Sequence, residues 1–334
     1  MDKKIIFLYT GGHPVHLDFA KSIKADIKKL SWKLPKDYDI YLTEGGFVKV
    51  IILRMFGLIN RKIKIINLFT DPRLFYLNKK IFLDLEKDKV KKYPEWRLFL
   101  SKILVKKLDG AICVGEFEEE LLKKITKKVP SEVVYPFTTD KRYNNFQKIK
   151  NKYSNKNLLF IGNGPDYYYK GVDILIETFK IAREKIPELK LYIVGYLRIK
   201  KEWRVDGVYF KGKKKDISNY LKNSSLYVHM GRGEAFGITI LKAMLAGIPT
   251  LVSEYTGAKE VLEKVDKDFI SPLNKNLISK RIINYFNLNL KKKKTLSKKS
   301  RITARKFDEK EMLRSFKEKF QVLLREAYHE NSHN

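Results

Sequence analysis

Short apolar runs of strand type alternate with segments of helical period along most of this 334-residue chain. The alternation occurs in two successive series. Strands that alternate with helices form parallel sheets with helices on both faces, so we predict an α/β chain with two doubly wound domains facing across a cleft. The strand candidates are residues 4–9, 40–43, 63–69, 110–114 and 133–135, then 157–161, 189–194, 208–210, 226–230 and 250–253; the helix candidates include 16–30, 96–108, 118–126, 172–185, 217–223, 238–246 and 259–265.

The boundary between the two series falls in a polar, turn-rich stretch at residues 136–156. Near the end, the basic residues 291–299 favour a solvated loop or helix face, and residues 307–329 have helical period. Because single cores rarely grow beyond roughly 250–300 residues, the length also favours two domains. We predict an N-terminal domain at 1–141, a C-terminal domain at 142–310, and a last helix at 311–334 that crosses back to the N-terminal domain.

A formal net charge of +32 narrows the classes of partner. Such a positive field attracts nucleic acid, anionic lipid or nucleotide phosphates. A general lysine bias, as in thermophiles, accounts for the charge without any partner. Since no nucleic-acid-binding module is recognisable, we expect no specific nucleic-acid partner. The sequence leaves the oligomeric state open.

Several observations bear on where the protein resides. The sequence contains no run of about 18 uncharged apolar residues, so no transmembrane helix is expected. The single cysteine, Cys113, excludes an internal disulfide and fits a cytoplasmic location. The helix candidate at 96–108 has an apolar stripe with basic flanks. This stripe has two explanations. Either the helix contacts the inner surface of an anionic membrane, or it packs on the sheet.

The motif with the clearest chemistry lies at residues 231–249. A Gly-Arg-Gly-Glu-Ala-Phe-Gly turn at 231–237 precedes an amphipathic helix that ends at Ala-Gly-Ile-Pro. Backbone N–H groups and the positive end of such a helix bind phosphate, and the carboxylate of Glu234 can accept hydrogen bonds from neighbouring hydroxyls. The alternative is that Glu234 is only a helix N-terminal carboxylate.

Together with other segments in the same order, this motif resembles the donor site of retaining glycosyltransferases of family 4. The family pattern is Glu-x-Phe-Gly-x4-Glu-Ala-x-Ala-x-Gly-x-Pro, and the chain adds Leu-Phe-Ile-Gly at 159–162, Lys-Gly at 170–171 and Gly-Ala-Lys-Glu-Val at 257–261. The resemblance implies a GT-B architecture of two Rossmann-like domains. It also implies transfer of a hexose, with retention, from a UDP- or GDP-linked sugar to a glycan or lipid-linked acceptor. The nucleotide-sugar is then a substrate, and no cofactor is expected.

The resemblance also implies roles for individual residues. Glu234 would bind hydroxyls of the donor sugar, and Lys170 would hold the diphosphate. Both are therefore predicted catalytic residues. The other predicted donor-binding positions of the matched motifs are Gly162 and the backbone amides of Phe236, Gly237, Ile238 and Thr239.

Two positions depart from the family pattern. Lys242 stands where the family has a glutamate that takes the ribose hydroxyls, and Asn163 stands where it usually has an arginine. A lysine cannot accept hydrogen bonds, and an asparagine supplies no charge. In one interpretation, Lys242 or Arg232 supplies the missing phosphate charge. In the other, donor binding is weakened and the chain is a catalytically impaired binding or regulatory protein. A nucleic-acid-binding protein is a third hypothesis, based on charge alone.

The N-terminal half supplies fewer candidates. Gly11 and Gly12 follow the first strand and would let a substrate approach the backbone, with His13 beside them. The resemblance makes Asp71 the third predicted catalytic residue, because it occupies the place of a histidine that family members often carry near the anomeric carbon. A carboxylate there could orient the acceptor hydroxyl or stabilise positive charge on the sugar, and an Asp-Pro turn explains the residue equally well. Asp-x-Asp pairs at 37–39 and 266–268 lie in segments predicted to be solvated turns, so we predict no metal site.

Overall fold

The computed structural model describes residues 3–71, 95–162, 168–195 and 199–329. The chain divides into two compact units. Unit 1 contains the described residues up to 137 together with 309–329, and unit 2 contains the described residues from 138 to 308. Within these ranges, no helix has the length and hydropathy needed to cross a bilayer.

Unit 1 contains a parallel six-stranded sheet with the strand order β2-β1-β3-β4-β5-β6. Apolar side chains of the central strands are almost completely buried under helices. The strands are β1 (Ile5–Tyr9), β2 (Asp26–Lys29), β3 (Ile40–Glu44), β4 (Lys64–Phe69), β5 (Gly110–Cys113) and β6 (Ser131–Val133). The helices before residue 138 are α1 (Pro14–Ser22), α2 (Phe47–Met55), α3 (Glu95–Leu104) and α4 (Glu116–Lys123), and a 3-10 helix (Val105–Lys107) follows α3.

Unit 2 contains a second parallel six-stranded sheet, with the order β12-β11-β10-β7-β8-β9. Its strands are β7 (Asn157–Ile161), β8 (Lys190–Val194), β9 (Val208–Phe210), β10 (Leu226–His229), β11 (Thr250–Ser253) and β12 (Ile270–Ser271). Its helices are α5 (Asp140–Gln147), α6 (Val172–Lys185), α7 (Ser218–Asn223), α8 (Ile238–Leu245), α9 (Lys259–Leu262), α10 (Lys275–Asn287) and α11 (Leu290–Ala304). The prediction of two doubly wound parallel sheets is confirmed.

The last helix, α12 (Glu309–His329), packs within unit 1 against α1, β5 and β6. Phe316 is fully buried, and its ring stacks on that of Phe19 with centroids 4.6 Å apart. Phe320 extends this aromatic cluster, 5.9 Å from Phe316. The end of the chain therefore completes the core of unit 1.

The predicted helix at 16–30 is wrong in its second half. Helix α1 ends at Ser22, and Lys24 adopts a positive φ of 56°, a left-handed conformation that stops a helix. The chain then forms β2, whose four residues are all exposed. Pairing with β1 at the sheet edge satisfies the backbone hydrogen bonds of β2 without an apolar pattern.

Two other polar stretches contain helices. The polar stretch 136–156 contains helix α5, and the basic residues 291–299 lie inside helix α11, which is one of the two predicted alternatives. In α11, Leu296 and Ala304 face inward while most lysines face solvent. This narrow apolar stripe is enough to hold a helix against the unit but gives a weak sequence signal.

Strand order marks a ligand-binding edge in each unit. In unit 2 the order 9-8-7-10-11-12 is the Rossmann order, which reverses direction between β7 and β10. In unit 1 the reversal falls between β1 and β3. Ligands of open α/β sheets bind beyond the carboxyl ends of the strands at this reversal. The segments after β7 and β10, and after β1 and β3, are therefore the expected sites.

Candidate functional site

The turn before α6 and the loop after β10 lie backbone against backbone. Gly171 has a φ of 69°, and a Cβ on it would lie 1.7 Å from the carbonyl oxygen of Met230. Only glycine permits this approach. The amide of Arg232 donates to the carbonyl of Tyr169 over 2.8 Å, and the Tyr169 hydroxyl donates to the carbonyl of Gly233. These contacts hold Lys170 beside the Gly-Arg-Gly-Glu loop.

Lys170 and Glu234 form an ion pair in which Nζ of the lysine contacts Oε2 of the carboxylate. The Nε2 atom of His229 lies 3.4 Å from the same oxygen. Among the described residues, no hydrogen bond reaches the other carboxylate oxygen, Oε1. Glu234 therefore presents one oxygen to the protein and one that remains available to a ligand.

Burial raises the pKa of Glu234, but the charge of Lys170 and the imidazole of His229, 3.4 Å away, lower it more. The net pKa lies well below the ordinary value, so the carboxyl group is ionised at neutral pH. An ionised carboxylate only accepts hydrogen bonds, which suits the hydroxyls of a sugar.

His229 lies in the candidate site but was not predicted from the sequence. It ends β10, is 1% exposed, and lies beside the rings of Phe160 and Tyr227, at 5.5 and 6.5 Å. A Cβ on Gly231 would lie 2.9 Å from His229 Nε2, so that glycine makes room for the imidazole. The available signal was a histidine at the end of a buried strand, directly before the glycine-rich loop.

The loop is also fixed from the side of β11. The amide of Gly257 donates to the carbonyl of Glu234 over 2.9 Å, and a Cβ on Gly257 would lie 1.8 Å from the carbonyl oxygen of Ala235. Close packing against the Ala235 carbonyl thus explains why the Gly-Ala-Lys-Glu-Val segment begins with glycine. This close contact helps to fix the backbone position of Glu234.

Helix α8 begins next to this carboxylate. Gly237, with a φ of 94°, precedes the helix, and Ile238 and Thr239 form its half-buried first turn. The first amides of a helix have no acceptor within it, so they can bind an anion. The hydroxyl of Tyr227 joins Thr239 Oγ1, at 2.9 Å, to the carbonyl of Ile161 at the end of β7, at 3.2 Å. The helix start is thereby tied to the strand where the sheet order reverses.

The ring of Phe236 is packed inside the protein. The side chain is 2% exposed and packs 6.0 Å from the ring of Phe307, and its carbonyl accepts a hydrogen bond from Ala258. Gly162, at the end of β7, has no room for a side chain, because a Cβ would lie 2.7 Å from the Phe160 ring. Asn163, which was predicted to bind the donor at the position of the family arginine, lies outside the described residues.

Arg232 is already engaged within the protein. Its guanidinium forms a bidentate pair with Asp173, at 2.8 Å on both nitrogens, and donates to the carbonyl of Tyr168 over 2.6 Å. It also lies 3.8 Å from the centre of the Tyr168 ring. With both nitrogens held by Asp173 and a side chain only 11% exposed, against 26% for Lys170, Arg232 fastens the loop to the start of α6. This arrangement favours a structural role over the predicted phosphate contact.

Lys242 lies half-buried on α8, and within the described ranges no side chain forms an ion pair or hydrogen bond with its ammonium group. Burial lowers its pKa to about 8, and the positive charge of Arg142 on α5 contributes to the shift. A half-buried cation without a counter-charge favours an anionic ligand. Lys242 is thus the more available of the two cations proposed to replace the family arginine.

The reversal point of unit 1 holds a second polar cluster. Glu44, at the end of β3, is 6% exposed, and its Oε1 lies 2.8 Å from Nδ1 of His16. The amide of Gly12 donates to Oε2 over 3.3 Å, and a Cβ on Gly11 would meet Oε1 at 3.7 Å. Glu44 was not among the residues predicted from the sequence, although a glutamate before Gly-Gly at a strand end is a local signal.

The other candidates of unit 1 are at the same sheet edge. His13 caps α1, its Nδ1 accepting from the amide of Val15, and its ring lies 5.1 Å from that of His16. Asp71 follows β4 by two residues and is half-buried. Gly12, Glu44 and Asp71 lie at or just after the carboxyl ends of β1, β3 and β4. Because these strands are parallel, the three residues lie at the same edge of the sheet.

Comparison with known proteins gives a consistent assignment. Residues 155–287 match the family model described as glycosyl transferases group 1. The chain is 26% identical over 132 residues to an uncharacterized glycosyltransferase of Haemophilus influenzae, over 37% of each chain. It is 28% identical over 154 residues to the N-acetyl-alpha-D-glucosaminyl L-malate synthase of Bacillus anthracis, over 42% of this chain and 39% of that protein. The alignments thus span less than half the length of these relatives.

The fold likeness extends further than the sequence likeness. The crystal structure of Anabaena HepE in complex with UDP and glucose superposes with a TM-score of 0.70 at 16% identity, covering 96% of this chain and 100% of that one. Residues 155–287 are therefore similar to the glycosyl transferases group 1 family, and the chain has the GT-B fold.

Proposed function

We propose that this chain is a retaining glycosyltransferase that moves a hexose from a nucleotide-diphosphate sugar to a hydroxyl of a glycan or lipid-linked acceptor. The observation that carries the proposal is the Lys170–Glu234 pair beside the first turn of α8, at the strand-order reversal of unit 2. It combines a cation, helix amides and a carboxylate oxygen, which are the groups that a sugar diphosphate needs.

In the proposed reaction, the bond between the anomeric carbon and the β-phosphate oxygen breaks, and negative charge grows on the diphosphate. Lys170 and the amides of Ile238 and Thr239 stabilise that charge. The acceptor oxygen bonds to the anomeric carbon on the face that the diphosphate leaves, and its proton passes to the departing phosphate oxygen. Glu234 accepts hydrogen bonds from the sugar hydroxyls through Oε1, and the neighbouring imidazole of His229 limits the orientation of the Glu234 side chain.

Lys242 takes a phosphate rather than ribose hydroxyls in this proposal. Its ammonium has no counter-charge among the described residues, and Arg142 adds positive charge nearby. Together with Lys170, it would supply the positive charge that metal-dependent transferases take from an ion, so we propose a metal-independent reaction.

Unit 1 would present the acceptor at the edge formed by Gly11, Gly12, His13 and Asp71. The Glu44–His16 pair supports this role, because Glu44 binds the glycine-rich turn through the amide of Gly12 and orients the imidazole of His16. Close approach of an acceptor to glycine backbone needs such a fixed turn.

A second candidate function is a nucleotide-sugar-binding or regulatory protein without turnover. Lysine at position 242, where the family has glutamate, favours this second function, since no carboxylate would accept hydrogen bonds from the ribose hydroxyls.

UDP is the first nucleotide to test because HepE was crystallised with UDP and glucose. The guanosine series follows.

The proposal is tested by a thermal-stabilisation screen of UDP, GDP and their sugars, followed by product analysis with the best ligand. Selective binding raises the unfolding temperature. We expect one nucleotide series to stabilise the protein and its sugar to be hydrolysed or transferred with retention. Stabilisation without turnover would favour the second candidate function, and neither effect would refute both.

A further inference from the structure

Helix α3 is apolar on two opposite faces. Leu98 and Leu104 face inward at 7% and 4% exposure. On the outward face, Trp96, Phe99 and Ile103 are exposed by 66%, 67% and 45% at helical spacing. A helix on the surface of a globular protein normally carries polar residues on its outer face. The outward stripe therefore needs an explanation other than the core.

A second exposed apolar group ends the neighbouring helix α2, which packs against α3. The helix stops in a Schellman turn, in which Gly57 has a φ of 69° and the amide of Leu58 donates to the carbonyl of Leu53 over 2.9 Å. This turn leaves Met55, Phe56 and Leu58 exposed by 54%, 74% and 62%. We call the six side chains the apolar patch: Met55, Phe56, Leu58, Trp96, Phe99 and Ile103.

Basic residues follow both halves of the apolar patch. Arg61 and Lys62 are exposed after the α2 turn, and Lys106 and Lys107 are exposed in the 3-10 helix after α3. In the described part of the chain, none of these four side chains forms an ion pair. Their charges are therefore available to an external anionic surface.

We propose that the apolar patch docks unit 1 on a membrane that contains anionic lipid. Apolar side chains enter the boundary between headgroups and acyl chains, Trp96 sits at headgroup level, and the lysines and arginines bind lipid phosphates. Charge complementarity selects this occupant over a second copy of the chain, because two copies that each carry +32 repel one another. The proposal does not depend on donor binding in unit 2.

Flotation of the full chain with lipid vesicles tests the docking. We expect binding to vesicles of equal parts phosphatidylcholine and phosphatidylglycerol, weak binding to phosphatidylcholine alone, and release by high salt. The triple variant F56S/W96S/F99S should lose about tenfold or more in partitioning, since binding scales with buried apolar area. Its matched control is L277S/L290S/I302S, which removes side chains exposed by 45%, 53% and 48% in unit 2 and should bind normally.

Two further measurements separate the outcomes. The tryptophan emission of the wild-type protein should shift to the blue on anionic vesicles, and Trp96→Phe should remove most of this shift while the protein still floats. Equal binding of F56S/W96S/F99S and wild type would overturn the proposal in favour of charge alone. Failure of the wild type to bind anionic vesicles would overturn it outright, as would a dimer in solution that F56S/W96S/F99S converts to monomers. Circular dichroism checks that each variant is folded.

Discussion

Lys170 and Glu234 are 64 residues apart in sequence, yet their side chains form an ion pair above the carboxyl ends of β7 and β10. Two glycine contacts create this proximity. Gly171 lies against the Met230 carbonyl, and Gly257 lies against the Ala235 carbonyl. The backbone of the loop is therefore held from both sides, and the carboxylate is positioned before any ligand arrives.

Lys170→Ala should lower kcat by about 10² to 10³, the usual loss when one fixed stabiliser of transition-state charge is removed. Initial rates at saturating donor measure this effect. Lys180→Ala is the matched control, because Lys180 lies on α6 and pairs with exposed Glu177. A Lys170→Ala enzyme as fast as Lys180→Ala would exclude the phosphate role.

His229→Leu should weaken binding of the nucleotide-sugar by about tenfold and leave binding of the free nucleoside diphosphate almost unchanged. The Nε2 atom of His229 lies 3.4 Å from Oε2 of Glu234, so the imidazole helps to fix the carboxylate, and a tenfold loss of affinity corresponds to about 1.4 kcal/mol. Calorimetric titrations with both ligands measure the difference. His229→Gln keeps a donor and should restore part of the sugar affinity; equal losses for both ligands would indicate a general packing defect instead.

Lys242→Met should raise the unfolding free energy of the ligand-free protein at pH 7 by about 1–2 kcal/mol. Burial lowers the lysine pKa from 10.5 to about 8, so its charged form destabilises the fold below pH 8. Between pH 8 and 10.5 the unfolded chain binds the extra proton, and the wild type therefore gains stability as pH rises. The advantage of the variant should shrink across that window in urea unfolding experiments.

The same substitution tests the function of Lys242. If the lysine binds a phosphate, Lys242→Met and Lys242→Glu should both weaken nucleoside diphosphate binding, although glutamate restores the family pattern. Lys298→Met, on the exposed side of α11, serves as the control. Tighter binding by Lys242→Glu would instead indicate that this position faces the ribose.

Gly171→Ala and Gly257→Ala should each destabilise unit 2 and reduce donor binding, because the new methyl group would lie 1.7 or 1.8 Å from a carbonyl oxygen. We expect losses of about 1–3 kcal/mol in unfolding free energy. Gly212→Ala is a matched control with a similar φ of 63° and open space around the glycine. Gly212→Ala measures the unfolding free energy lost when alanine takes a left-handed backbone conformation. If this loss equals that of Gly171→Ala, the close contact with the Met230 carbonyl does not explain the effect at Gly171.

Much of the sheet architecture could be predicted because buried parallel strands have continuous apolar runs. The strands β7, β9 and β11 begin and end where the pattern placed them. Strand β2 could not be predicted, since Asp-Ile-Lys-Lys lies at an edge and is held by backbone pairing alone. Helix α2 was missed because its run of Val, Ile and Leu resembles a buried strand.

The site was only partly predictable, for a different reason. Local motifs identified Glu234 and Lys170, and their roles remain proposals. The partners of these motifs depend on contacts between distant segments. Asp173 neutralises Arg232 across 59 residues, and Glu44 meets His16 across 28. A single sequence contains no record of such pairs, so the availability of Lys242 and the presence of Glu44 emerged only from the structure.

The most direct test of the donor site compares nucleoside diphosphates with monophosphates. Calorimetric titration of the wild-type protein with UDP, UMP, GDP and GMP should show one diphosphate binding at least about tenfold more tightly than its monophosphate, because we propose that Lys170 contacts the second phosphate. Lys170→Ala should abolish that preference while monophosphate binding persists. An undiminished preference for the diphosphate in Lys170→Ala, or no binding of any of the four nucleotides, would contradict the proposed site.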